Sequence, residues 1–170
     1  GKIFVTSGLG GMSGAQAKAG VIAKGICIVA EINLEATSKR HKQGWVDEVY
    51  KDLDKLIDRA IQARENKEAV SIAYDGNIVD LWERLVERNI DIELGSDQTS
   101  LHNPWAGGYY PVGVSFKNAN EMMSNNPDQF KKEVQRTLVR HTNAINTLTE
   151  RGMYFFDYGN AFLLEANRAG

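Results

Sequence analysis

Thr6-Ser7-Gly8-Leu9-Gly10-Gly11-Met12-Ser13-Gly14-Ala15-Gln16 is the stretch whose reading decides the fold. It follows a short apolar run, Ile3-Phe4-Val5, which reads as a buried strand, and it precedes an Ala-rich run, Ala15 to Lys24, which reads as a helix. Strand, glycine turn and helix form the context in which a glycine motif means dinucleotide binding. One glycine permits the tight turn, a second lets backbone approach a pyrophosphate, and a third lets the helix lie close on the sheet. Free N–H groups at the helix start then face the anion. Gly8, Gly10 and Gly14 give G-x-G-x-x-x-G, one residue longer than the usual spacing. Ser13 and Gln16 fit a capping box, S-x-x-Q, which predicts where the helix begins.

The whole chain sets bounds on this reading. Its 170 residues make one domain with room for a proper core. A net charge of -2 gives no electrostatic case for nucleic acid or for an anionic membrane. No apolar run is long enough to span a bilayer and no signal peptide is visible, so no membrane partner is expected. A single cysteine excludes an internal disulfide and fits a reducing compartment, the cytoplasm. The chain enters almost directly on a strand and stops inside what reads as a helix, so residues 1–170 are expected to be a single domain excised from a longer protein.

Further along, Ile26-Cys27-Ile28-Val29-Ala30 is an unbroken apolar run, the mark of a parallel strand covered on both faces. Cys27 lies inside it and reads as a small buried hydrophobe. Glu31 closes the strand about twenty residues after the turn, where an acidic side chain accepts hydrogen bonds from an adenosine ribose and repels a 2′-phosphate. NAD is therefore favoured over NADP. The basic cluster Ser38 to Lys42 reads as a solvated surface before a helix. From Trp45 to Arg64 the apolar residues repeat at helical spacing and predict one helix. Ala69 to Tyr74 reads as a strand, followed by a helix with Ile78, Leu81, Trp82, Leu85 and Val86 on one face. Ile90 to Leu94 reads as a further strand. Val112 to Phe116 reads as a short strand or extended loop. Asn118 to Ser124 and the residues after Asn126-Pro127 read as helices, with His141 exposed or partly buried on the longer one. Met153 to Phe156 reads as the last strand and Ala161 starts a final helix. The alternation predicts an α/β, Rossmann-like, open and mostly parallel sheet with helices on both faces.

The glycine turn, Glu31, Asp75 to Asn77, Ser96 to His102 and Asp157 to Asn160 all follow the carboxyl end of a predicted strand, the edge where such sheets bind ligands. Asn77, Gln98, Thr99 and Ser100 suit ribose hydroxyls, an amide or phosphate oxygens. Tyr109, Tyr110 and Tyr158 suit stacking on flat rings. Asp75, Asp97 and Asp157 suit acid–base work or the capping of turns. No nucleophile stands beside a base. His102 has no partner at ligand spacing, so no metal is expected.

Gly8-Leu9-Gly10-Gly11-Met12-Ser13-Gly14-Ala15-Gln16, Gly95-Ser96-Asp97-Gln98-Thr99-Ser100-Leu101-His102-Asn103-Pro104, Gly108-Tyr109-Tyr110-Pro111 and Phe156-Asp157-Tyr158-Gly159-Asn160 together resemble urocanase (urocanate hydratase), in the family's order and along the whole chain. The resemblance is to the family's central NAD-binding domain, which is inserted in a core domain. It implies an enzyme, typically a homodimer, in which tightly held NAD⁺ is an electrophile rather than a redox partner. Water is added to urocanate to give imidazolone propionate, a step of histidine breakdown. It implies that Gly11, Met12 and Ser13 meet the pyrophosphate and Glu31 the adenosine ribose, beside Gly8 and Gly10, which the glycine turn already places in the cofactor site. Asn77, Ile78, Gln98, Thr99, Ser100, Leu101, His102, Tyr109, Tyr110 and Tyr158 would complete the NAD site. Many members have glycine where this chain has Ser13. Many bacterial members have arginine where it has Ala36. The catalytic groups would lie in the core domain, outside this chain, so the chain alone is expected not to hydrate urocanate. On the glycine turn and Glu31 alone, an NAD-dependent dehydrogenase domain or a non-enzymatic NAD-sensing module also fits.

Overall fold

The computed structural model describes residues 1–98, 103–159 and 161–170, with the side chain of Gln98 also outside the description. Strands β1 (Ile3–Ser7), β2 (Ile26–Glu31), β3 (Glu48–Tyr50), β4 (Val70–Asp75), β5 (Leu94–Gln98) and β6 (Tyr154–Tyr158) form one sheet in the order β3-β4-β2-β1-β5-β6, every pairing parallel. The connecting helices are α1 (Ala15–Ile22), α2 (Leu34–Lys42), α3 (Leu53–Glu65), α4 (Ile78–Glu87), α5 (Phe116–Asn125) and α6 (Pro127–Glu150), with α7 (Ala161–Ala169) closing the chain. Among the described residues no helix is long and apolar enough to cross a membrane.

Side chains alternate across each strand, so the buried residues divide between two cores. On one face Ile3, Val5, Ile26, Ile28, Val70 and Ile72 pack with the apolar stripes of α3, α4 and α6. On the other, Phe4, Cys27, Val29 and Ala73 pack with Ala17 of α1, Leu9 and Val46. Burial of β2 is complete over its five apolar residues, as the unbroken run requires. Burial also pushes the Cys27 thiol up to about 12, which keeps it protonated and inert. The sheet is the expected α/β, Rossmann-like one, and the helices do lie on both faces.

Several elements depart from the sequence expectation. The predicted helix over Trp45 to Arg64 is a strand and a helix. Glu48–Tyr50 is the edge strand β3, and α3 begins only after Asp52, whose side chain accepts a hydrogen bond from Lys55 N at 3.0 Å. The carboxylate of Asp47 ties this edge to β4 through the N–H and hydroxyl of Ser71, both at 2.8 Å. Ser38 to Lys42 belongs to α2, and the basic cluster is not all solvated, because Arg40 is buried. β5 begins only at Leu94, with Ile90 to Glu93 leading into it, and Val112 to Phe116 contains no strand but the start of α5.

The capping box also fails. Helix α1 starts at Gly14 without a side-chain cap, and the Gln16 carboxamide turns inward to accept from Thr6 Oγ1 at 3.2 Å. The close approach of α1 to the sheet falls to Gly20, not Gly14. A Cβ on Gly20 would lie 2.6 Å from Cβ of Cys27. Gly20→Ala therefore tests the contact by sign. Helix propensity alone favours alanine by about 1 kcal/mol, whereas overpacking costs about 1–3 kcal/mol. The expected outcome in urea denaturation is a lower midpoint at unchanged slope.

Candidate functional site

The chain switches sides of β1 between β4 and β5, so β1 and β5 flank the topological switch point, where a ligand crevice is expected. Their backbone ladder registers only Phe4 with Leu94 and Val5 with Gly95. Beyond it side chains take over. The hydroxyls of Thr6 and Ser96 lie 2.8 Å apart, and Ser7 Oγ donates to Asp97 Oδ2 at 3.1 Å. All four residues are buried. This polar seam lies directly beneath the glycine turn.

The turn is clamped at Leu9. Its N–H donates to Glu31 Oε2 at 2.7 Å, its carbonyl accepts from Arg40 Nε at 3.1 Å, and its side chain is buried in the smaller core. The second carboxylate oxygen of Glu31 accepts from Asn33 N at 2.9 Å. Gly8 takes a φ of 93°, and a Cβ there would strike Ser13 Oγ at 2.6 Å. Gly10 and Gly11 differ. Neither needs a positive φ, and a Cβ would meet nothing nearer than 3.9 Å at Gly10 and nothing within 4 Å at Gly11. Among the described residues, the backbone N–H groups of Gly10, Gly11, Met12 and Ser13 have no acceptor. Consecutive free N–H groups of this kind make an anion-binding concavity.

A cleft of about 200 Å³ opens here, lined by Ser7, Gly8, Gly10, Ser13, Glu31, Gly76, Asn77, Ile78, Tyr109 and Tyr110 among others. That volume is below the roughly 300–1,000 Å³ of a small-molecule site, so the described residues supply only part of one. Of the residues expected from sequence, Gly8, Gly10, Ser13, Glu31, Asn77, Ile78, Tyr109 and Tyr110 converge on this cleft. Gly11 and the exposed Met12 sit on the turn outside it. Tyr158 packs edge-on against Phe156 with ring centres 5.4 Å apart, outside the cleft lining. Gln98 ends β5, and Thr99, Ser100, Leu101, His102 and Asn160 lie outside the described residues.

The far wall is held by hydrogen bonds within the chain. Asn77 caps α4 by accepting from Val79 N and donates from Nδ2 to the Tyr110 carbonyl, both at 2.9 Å. The Tyr110 hydroxyl donates to Asn120 Oδ1 at 3.0 Å. Asp157 Oδ2 accepts from Phe162 N and Leu163 N, which caps α7. Asp75 pairs with Lys51 at 3.9 Å. Burial raises its carboxyl above the usual range, with Lys51 pulling the other way.

Two residues were missed by sequence reasoning. Arg40 looked like one of a run of solvated cations. The signal was its place three residues after Thr37, which is buried on the same helix face. His141 is fully buried, and its Nδ1 lies 2.8 Å from the Tyr109 hydroxyl. Its i+3 and i+4 neighbours Ala144 and Ile145 were the available clue to burial. Phe162 also lies against the ring at 4.7 Å.

Comparison with known proteins fixes the kinship. The family described as "Urocanase Rossmann-like domain" matches residues 1–170. The chain belongs to the urocanase family. It is similar to "Probable urocanate hydratase" of Dictyostelium discoideum, 61% identical over 99% of this chain and 25% of that protein. "Urocanate hydratase" of Homo sapiens is 56% identical over 100% of the chain and 26% of its own length. "Probable urocanate hydratase" of Halobacterium salinarum (strain ATCC 700922 / JCM 11081 / NRC-1) is 36% identical over 94% of the chain and 27% of its length. The chain thus spans about a quarter of these urocanase relatives.

His141 offers a pH test of the urocanase cleft's far wall. Burial lowers its pKa from 6.5 to about 3. The folded chain keeps the ring neutral, while the unfolded chain protonates it below about 6.5, so acid favours unfolding across that window. His141→Gln removes this proton uptake. Between pH 7 and pH 5 the stability difference between wild type and H141Q, measured by urea denaturation, should narrow by about 2 kcal/mol.

Proposed function

We propose that this chain is the NAD-binding domain of a urocanate hydratase. The observation that carries the reading is the pair Gly10 and Gly11. Neither backbone strain nor packing within the chain demands glycine at these positions, and the N–H groups from Gly10 to Ser13 have no partner among the described residues. A close approach by a phosphate accounts for both. Helices α2 to α6 each begin at a capping side chain, whereas α1, next to this turn, does not. An anion at that end would satisfy the orphan donors.

In this reading Gly8, Gly10, Gly11, Met12 and Ser13 cradle the pyrophosphate. Glu31 keeps one strong acceptor face toward the adenosine ribose after serving Leu9 N and Asn33 N, since each carboxylate oxygen has two lone pairs. Asn77 fixes the backbone of the Tyr109-Tyr110 segment, so the cleft's width is set before any ligand enters. Gln98, Thr99, Ser100, Leu101, His102 and Tyr158 are assigned to the remainder of the same site by the family likeness. Bound there, NAD⁺ supplies an electrophilic nicotinamide ring for water addition to urocanate. Catalytic groups, and the rest of a cytoplasmic homodimer, are assigned to the three quarters of the parent protein beyond this chain.

The reading is tested by native mass spectrometry of the purified protein, which should retain one NAD per chain. The parent enzyme should consume urocanate without forming NADH. Formation of NADH from a hydroxy substrate would favour a dehydrogenase instead. Gly10→Val separates ligand from fold. Its melting temperature should stay close to wild type, as for substitutions with no packed neighbour. Its NAD retention should fall at least tenfold.

A further inference from the structure

Arg40 is more than nine-tenths buried, yet among the described residues no carboxylate pairs with it. All its hydrogen bonds run to neutral oxygens. Nε donates to the Leu9 carbonyl at 3.1 Å, Nη2 to the Gly10 carbonyl at 2.6 Å, and Nη1 to Gln43 Oε1 at 2.8 Å. The guanidinium also lies 4.6 Å from the centre of the Trp45 ring. Buried cations are normally paired with an anion. The side chain occupies the space that a Cβ on Gly14 would take, so the last glycine of the motif makes room for an arginine.

Peptide geometry carries the consequence. No peptide bond in the described chain is cis. In a planar trans peptide the carbonyl and the following N–H point in opposite directions. Drawing the carbonyls of Leu9 and Gly10 onto Arg40 therefore turns the N–H groups of Gly10 and Gly11 away from it. Gly10 forms part of the cleft wall, and among the described residues that wall carries the Glu31 carboxylate but no lysine or arginine. The missing positive charge stands one peptide behind the wall.

We propose that Arg40 is the positioning residue of this turn for the diphosphate of a dinucleotide. Its fork holds two carbonyls inward so that two amides face the phosphates. Its uncompensated charge acquires a counter-ion when a diphosphate binds across the turn. This rests on the NAD reading above. Planar, bidentate donation is the part lysine cannot reproduce.

The test titrates the nucleotide-free full chain with NAD⁺, ADP and adenosine, the last followed by NMR. Arg40→Met should weaken NAD⁺ and ADP at least tenfold and leave adenosine within twofold. Arg40→Lys should restore only part of the loss. Gly14→Ala, whose Cβ would press on both the guanidinium and the Gly10 carbonyl that it holds while leaving the charge in the chain, should give the same phosphate-selective loss if R40M fails to fold. Unchanged NAD⁺ affinity in R40M or G14A, or an equal loss for adenosine, overturns the proposal, the second result marking a merely structural arginine. Failure of the wild-type chain to bind either NAD⁺ or ADP overturns the cofactor reading itself.

Discussion

The site depends on the immobilisation of Leu9. Its amide is held by Glu31 at the end of β2, its carbonyl by Arg40 from α2, and its side chain by the smaller core. Three different kinds of interaction, charge-assisted donation in each direction and apolar burial, fix one residue at the crest of a glycine turn. Glycine turns are conformationally permissive, and a turn free to wander would present no fixed set of amides. Here the permissive residues flank a rigid one. Gly8 absorbs the left-handed backbone, and Gly10 and Gly11 leave space on the outer side. Ordering entropy is met at folding rather than at binding, which is the physical content of preorganisation.

The same logic separates capped from uncapped helix starts. Asn33, Asp52, Asn77, Ser115 and Asn126 each satisfy an N–H at the start of α2 to α6. Leaving first-turn donors unsatisfied costs stability unless water or a ligand takes them. The Ser13 side chain lies against Gly8 instead of serving as the cap, and Gln16 is drawn to Thr6. The sequence pattern of a capping box is present, but Gln16 is recruited inward by Thr6 of the polar seam and Ser13 stays against Gly8.

That competition explains what was legible in the sequence. β2 and β4 were plain because burial on both faces leaves only apolar residues, and α4 because its stripe is strong. β3 was hidden. Val46, Val49, Tyr50 and Leu53 repeat at helical intervals by coincidence, and an edge strand of three half-exposed or exposed residues carries no period of its own. α2 was hidden because its inward face consists of Thr37 and Arg40, and Arg40 is drawn in by the carbonyls of the glycine turn, which no local pattern reveals. The glycine motif was found, but the roles of its members were exchanged. Gly14 serves Arg40, and close helix–sheet packing belongs to Gly20. Strand-end positions converged on the cleft because parallel topology places every strand's carboxyl end on one edge. Tyr158 shares that edge without lining the cleft, since its ring joins Phe156 on the sheet face.

The polar seam follows from the topology as well. Sequential strands that wind outward in opposite directions from β1 must separate at their carboxyl ends to leave a crevice. Once the β1–β5 ladder stops at Val5 and Gly95, the exposed ladder groups and the space beneath the turn need polar partners that do not close the gap. Side-chain hydrogen bonds fill that space. Thr6 with Ser96 and Ser7 with Asp97 bridge the strands at side-chain length. Apolar residues there would pull the strands together or leave donors unpaired. A buried carboxyl at Asp97 would be costly alone, and its hydrogen bond from Ser7 offsets part of that cost. The far wall shows the complementary choice. Tyr109 reaches past the seam to a neutral imidazole at His141, so its hydroxyl is satisfied without a second charge near the cleft. Among the described residues the cleft wall carries no lysine or arginine, so in the proposed reading the free amides of the glycine turn, with Arg40 behind them, set the side of the cleft on which the phosphates lie.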